Sequence, residues 1–287
     1  IETELWPNLI HVCEATATPV VLANGRLSEK SFQKYRKWIS ITGPMWASVN
    51  CALMQDTKDL ERAFSLGTPR SVLSSVGSIK LDQEFLPPDP LLLKALKIWK
   101  DNRKVVCLMS SHEGDDVLVL NTFSDHAPAS MALLIVPRHP IRSVEITRIA
   151  QTLNLKISKV CAGISRSSVL IGDTLGQMST YLDIADVVLI GGSFSGKGGQ
   201  NPIEAAVLKK ALIAGPSMYN FQSINDALVQ CGGLIQVEPI ELYSAINKAI
   251  LDSKAIGSNA RAWVDRNKGS ARIQAAAVLA TLRTNKN

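Results

Sequence analysis

Asp186-Val187-Val188-Leu189-Ile190-Gly191-Gly192-Ser193-Phe194-Ser195-Gly196-Lys197-Gly198-Gly199-Gln200-Asn201-Pro202-Ile203-Glu204 runs from an apolar segment through a glycine-dense loop into a helix start. Val187–Ile190 reads as a strand buried on both faces. Asn201 suits an N-cap, Pro202 suits the first helical position, and Glu204 stands three residues after the cap. Five glycines between Gly191 and Gly199 let backbone pass where side chains would block it. Free loop amides feeding the positive end of a helix make an anion seat, so the loop reads as a site for a phosphate-bearing ligand. The competing reading is a plain connector, with Glu204 only reaching back to the backbone N–H of Asn201. So many glycines weaken a mere connector, which favours the ligand. Two sharper motifs fail. Gly191 to Lys197 fits the start of a P-loop, but Gly198 stands where Ser or Thr must hold magnesium, and Asn201 takes the place of the last glycine of a dinucleotide fingerprint.

The same pattern repeats outward. Val105–Met109, Met131–Val136, Ser168–Ile171, Ala211–Ala214 and Leu234–Val237 are further short apolar runs, each separated by enough chain for a helix. Alternation of this kind indicates a parallel sheet covered on both sides, with ligands beyond the carboxyl ends of the strands. The first part reads as the tail of another α/β unit. It has helices over Pro7–Ala17, Ser28–Ile41 and Asp56–Leu66, and strands over Pro19–Leu22, Ser48–Met54 and Ser71–Val76. The proline-rich stretch from Leu81 to Pro90 is the linker candidate. An alanine-rich tail over Ser270–Leu282 reads as helix.

The totals are those of an ordinary folded protein: 287 residues, 46% hydrophobic and 20% charged. No apolar run approaches the roughly 20 residues of a spanning helix, and no signal peptide is present. The chain begins at Ile1 without a methionine, which reads as a fragment. Its five cysteines are scattered without metal-ligand spacing and read as reduced thiols, and its four histidines make no zinc site. A net charge of +6 favours anionic partners. The densest basic cluster, Lys30 to Trp38, suits lipid headgroups or is a solvated helix face with aromatic anchors. No nucleic-acid motif accompanies it.

Three other strand ends carry polar groups: Ser110-Ser111-His112-Glu113-Gly114-Asp115, Pro137-Arg138-His139-Pro140 and Gly172-Asp173-Thr174-Leu175-Gly176-Gln177. In a parallel sheet they share one edge with the glycine loop, and such convergence carries more weight than any single loop. Arg138, held near prolines, is placed to grip a phosphate or carboxylate bidentately. Asp173 and Thr174 read as a cap for the following helix.

Taken in order, these segments resemble the 3-deoxy-D-manno-octulosonate (Kdo) transferases of lipopolysaccharide synthesis. The matching pieces are Glu2-Thr3-Glu4-Leu5-Trp6-Pro7-Asn8, Ala23-Asn24-Gly25-Arg26-Leu27-Ser28, His112-Glu113-Gly114, Val136-Pro137-Arg138-His139-Pro140, Gly172-Asp173-Thr174, Gly191-Gly192-Ser193, Gly198-Gly199, Asn201-Pro202-Ile203-Glu204, Gly215-Pro216 and Asn220-Phe221. The resemblance implies an α/β protein of the GT-B class, two Rossmann-like parallel-sheet domains facing a cleft, with the N-terminal one incomplete. Residues 1–84 would be the acceptor-side part and 85–287 the donor domain, whose last helix, about 270–284, packs back on the first.

By the same resemblance the protein is an inverting, metal-independent glycosyltransferase without cofactor. It moves Kdo from CMP-Kdo to a phosphorylated lipid A precursor at the cytoplasmic face of the bacterial inner membrane, where it is peripheral or anchored by a missing segment. The CMP contacts implied are Pro137 and Arg138, then Leu175, Gly176 and Gln177, then Asn201, Pro202, Ile203 and Glu204. The family's general base lies upstream of Glu2, so the fragment is expected to be inactive alone, with Glu4 a cleft residue or a buried helix cap. Departures fall at Leu175 and Gln177 (Met and Glu in the family), Gln200 and Ser217 (His) and Ala205 (Pro). The alternatives are another GT-B enzyme using a UDP-sugar, or a non-catalytic nucleotide-binding module.

Overall fold

The structure, a computed structural model, describes residues 1–2 and 5–284. It divides into two compact units: Ile1–Gln83 together with the residues from Asn267 onward, and Glu84–Arg266.

The first unit contains α1 (Pro7–Ala15), β1 (Val21–Gly25), α2 (Glu29–Lys37), α3 (Ile39–Ala47), β2 (Cys51–Met54), α4 (Thr57–Ser65) and β3 (Leu73–Ser75). The three strands form a parallel sheet in the order β1-β2-β3. Its core gathers Leu22, Leu27, Trp46, Met54, Ala63 and Leu66. The single helix expected over Ser28–Ile41 is two, because Trp38 leaves helical geometry at φ −113°, ψ 32°. The break is closed locally, since the Thr42 hydroxyl donates to the Tyr35 carbonyl at 2.9 Å. Aromatic residues on α2 divide between core and solvent. Phe32 and Tyr35 pack on the core, Tyr35 edge-on to Trp46 at 5.6 Å. Lys30, Lys34, Arg36, Lys37 and Trp38 are exposed.

The second unit contains α5 (Pro90–Lys100), β4 (Lys104–Ser111), α6 (Asp115–His126), β5 (Met131–Pro137), α7 (Ser143–Thr152), β6 (Ile157–Lys159), β7 (Val169–Ile171), α8 (Met178–Ile184), β8 (Val187–Ile190), α9 (Ile203–Val207), β9 (Ala211–Ala214), α10 (Gln222–Gln230), β10 (Leu234–Gln236), α11 (Leu242–Leu251) and α12 (Ser253–Arg266). Its seven strands are all parallel, in the order β10-β9-β8-β4-β5-β7-β6. Val105–Met109, Leu133–Ile135 and Val187–Ile190 are almost wholly buried, which fits a sheet sandwiched between helices. The chain enters at β4, builds outward through β5, then crosses back to β8. The switch in direction lies between β4 and β8, where sheets of this kind open a crevice for ligands.

The helix α13 (Ser270–Thr284) belongs to the first unit. Asp82 caps its start, accepting from the amides of Gly269 at 2.6 Å and Ala271 at 2.7 Å. Gln274, buried, accepts from the amide of Asn24 at 2.6 Å and donates to the carbonyl of Gly77. Asn24 needs this support, as it holds a left-handed φ of 52° at the end of β1. Among the described residues no helix is long and apolar enough to cross a membrane.

Candidate functional site

Four loops leave the carboxyl edge of the second sheet, after β4, β5, β7 and β8. Those after β4 and β8 flank the switch point and are joined by direct bonds. The side-chain amide nitrogen of Gln200 and Nε2 of His112 are hydrogen-bonded at 2.9 Å. Burial holds the His112 imidazole below its usual range. The Asp115 carboxylate opposes this, while the nearby His139, Arg142 and Arg138 add to it. These residues therefore share one electrostatic neighbourhood.

Asp115 was not singled out by the sequence and is the centre of the loop. Its side chain is fully buried. One carboxylate oxygen accepts from the amides of His112 at 2.9 Å and Gly192 at 2.6 Å, the other from Ser195 at 2.9 Å. The expectation of a glycine loop with free amides is corrected in part here. The Gly192 and Ser195 amides hold the protein's own carboxylate. Those of Lys197 and Gly199 bond the Gly192 carbonyl, and that of Gln200 bonds the Gly191 carbonyl.

The glycines also have an internal reason. A Cβ on Gly191 would collide with the carbonyl oxygens of Met109 and Ser110, and one on Gly199 with Met218. The close approach that the sequence implied is made by neighbouring protein chain.

The helix start is shorter than its caps suggested. α9 has five residues, and Pro202 precedes it in helical geometry at φ −81°, ψ −10°. Pro202, not Asn201, is the N-cap, although Asn201 Oδ1 accepts from the Ile203 amide at 3.0 Å. Glu204 makes no hydrogen bond back to Asn201. Its half-buried carboxyl has no partner among the described residues, and burial pushes its pKa up. Pro202 and Ile203 are buried.

The remaining expected residues lie on neighbouring loops. Pro137 is buried at the end of β5. Arg138 is exposed, and its amide donates to the Ser111 carbonyl at 3.0 Å, tying β5 to β4. Leu175 is 79% exposed at the loop tip, Gly176 has φ +73°, and Gln177 Oε1 accepts from the Thr180 hydroxyl at 3.0 Å. Asp173 does not cap α8. Its carboxylate accepts from the Cys161 amide at 3.0 Å and from the Cys161 thiol. Glu4 lies outside the described residues.

Sequence reasoning also missed Arg142 and Asp116. Arg142 Nη2 stands 2.6 Å from Oδ2 of the fully buried Asp116. The signal available was an adjacent pair of acids, Asp115-Asp116, in the first turn of a helix that directly follows a buried strand.

Residues 1–83 match the family model described as 3-Deoxy-D-manno-octulosonic-acid transferase (kdotransferase). The chain is 31% identical over 263 residues to the 3-deoxy-D-manno-octulosonic acid transferase of Haemophilus influenzae, covering 88% of this chain and 61% of that protein. It therefore spans less than two thirds of that relative's length. Among solved structures it resembles the C-terminal CMP-Kdo binding domain of WaaA from Acinetobacter baumannii, with a TM-score of 0.54 and 24% identity over 59% of this chain and 94% of that one. Anabaena HepE in complex with UDP aligns with a TM-score of 0.60 and 15% identity over 97% of this chain and 76% of that one. The fold is α/β with parallel sheets, of the GT-B class.

Proposed function

From its similarity to Kdo transferases, we propose that the chain belongs with them and is the Kdo-transferring part of a glycosyltransferase of lipopolysaccharide synthesis. The second unit takes CMP-Kdo as donor. The observation that carries this reading is the meeting of the β4 and β8 loops at the switch point, through His112 and Gln200, beside the exposed cation Arg138. A nucleotide's negative group is drawn to such a rim, and fixed donors in a shielded edge stabilise the departing CMP. Arg138 is exposed and free to turn its fork toward a phosphate. Glu204, half-buried and without a partner among the described residues, is suited to ribose hydroxyls. Leu175 to Gln177 form the third wall.

In this reading transfer inverts the sugar carbon without metal or cofactor, and the acceptor is a phosphorylated lipid A precursor. The exposed face of α2, with Lys30, Lys34, Arg36, Lys37 and Trp38, meets the anionic surface of the inner membrane. Calorimetric titration with CMP and UDP tests the donor assignment. CMP is expected to bind at least about tenfold tighter than UDP, and Arg138→Ala to weaken CMP by about tenfold or more, as for a lost charge-assisted hydrogen bond. Equal affinity for the two nucleotides would favour a UDP-sugar enzyme, and no binding of either would remove the donor role.

A further inference from the structure

The glycine loop is folded around an anion that the protein supplies. Asp115 receives three backbone N–H groups, from His112 on one side of the switch point and from Gly192 and Ser195 on the other. Converging amides of this kind hold phosphates in other loops. A second anion brought into the same seat would face a buried carboxylate of like charge. The loop's tightness follows from the same contacts, because Gly191 packs on the end of β4 so closely that no side chain fits there.

We propose that Asp115 is a positioning residue of the donor site. It is the built-in anion that fixes the glycine loop as a pre-formed wall, and the donor's phosphate is held outside that loop, at its open edge. The proposal rests on the nucleotide reading above for its ligand, and on the protein's own bonds for the wall. A wall already ordered needs little further ordering when ligand arrives, which favours affinity.

Asp115→Ala in the same chain empties the seat. Hydrogen exchange at the Gly192 and Ser195 amides should then speed up by about tenfold or more, and CMP affinity should fall by a similar factor. Formate, a small carboxylate, should restore both saturably, whereas chloride at equal ionic strength should not. A residue that merely fills space would give no such selectivity. Unchanged protection of the two amides, or equal rescue by chloride, overturns the proposal. Should the variant fail to fold, the unmodified protein still decides. Couplings across the hydrogen bonds, from the Gly192 and Ser195 amide nitrogens to the Asp115 carboxyl carbon, must be present, and their absence overturns it too. If the amides respond as expected but neither protein binds CMP, the nucleotide reading fails and the assignment of Asp115 to a donor site fails with it, while the wall itself stands.

Discussion

Arg142 and Asp116 form an ion pair of 2.6 Å in which the acid is fully buried and the guanidinium nearly so, at 15% exposure. The pair joins the first turn of α6 to the turn after β5, beneath the loops of the candidate site. Burial pushes the Asp116 carboxyl above its usual range, with Ser111 and Arg142 opposing.

Removing the guanidinium leaves that carboxylate without its counter-ion. Arg142→Ala should cost about 3–5 kcal/mol at neutral pH, read from the denaturant midpoint. The loss should shrink as pH falls through the raised range of Asp116, already above the ordinary carboxylate range, where Asp116 takes up a proton and no longer needs the cation. A double variant with Asp116→Asn should recover most of the loss, and a double variant as unstable as the single one would contradict this account.

Asp59 carries a pH consequence of the same sign. It is 4% exposed, and burial raises its pKa to about 6, outweighing the bond from the Leu27 amide and the Arg62 guanidinium at 3.5 Å. Its folded pKa lies above its unfolded value, so the folded state holds the proton longer. Stability is then greatest below the unfolded pKa and falls as pH rises toward about 6. A rise from the ordinary aspartate value to about 6 is equivalent to at most about 3 kcal/mol. Asp59→Asn should flatten this fall between about pH 4 and pH 7, as measured by urea unfolding at several pH values.

Two glycines of one loop should behave differently. Gly191→Ala forces a Cβ into the carbonyl oxygens of Met109 and Ser110, so soluble folded protein should be lost or the melting point should fall steeply. Gly196 has φ +73° but open space around it, so Gly196→Ala should cost only about 1–2 kcal/mol of backbone strain. Similar losses at both positions would argue against the close packing of Gly191 on β4.

The basic face of α2 gives a salt-sensitive prediction. Lys34→Glu with Lys37→Glu should reduce sedimentation with anionic vesicles several-fold and leave neutral vesicles unaffected. Wild-type binding should weaken as salt rises, since exposed charges are screened over about 8 Å at physiological ionic strength. Salt-independent binding would point to apolar insertion at Trp38 instead.

The central strands could be read from the chain because β4, β5, β7, β8 and β9 are buried on both faces and so are continuous apolar runs. β6 escaped notice. It is an edge strand of three residues, Ile157-Ser158-Lys159, with a single neighbour and only Ser158 buried. The loops of the site were legible as strand ends, and the glycines as a demand for close approach. What approaches was not legible. A carboxylate at the start of a helix has the same sequence whether it caps its own turn or reaches across to Gly192. Likewise Asp173 beside Thr174 looks like a helix cap until the fold brings Cys161 beside it.

The first unit is interrupted in sequence by the second, with Gln274 returning some 250 positions later to Asn24. Synthesis on the ribosome is vectorial, so residues 84–266 emerge complete while their predecessor still lacks its closing helix. Until residues 267–284 emerge, the left-handed turn at Asn24 and the carboxylate of Asp82 await their partners, and a nascent chain stalled before that point should be the form most exposed to proteases and chaperones.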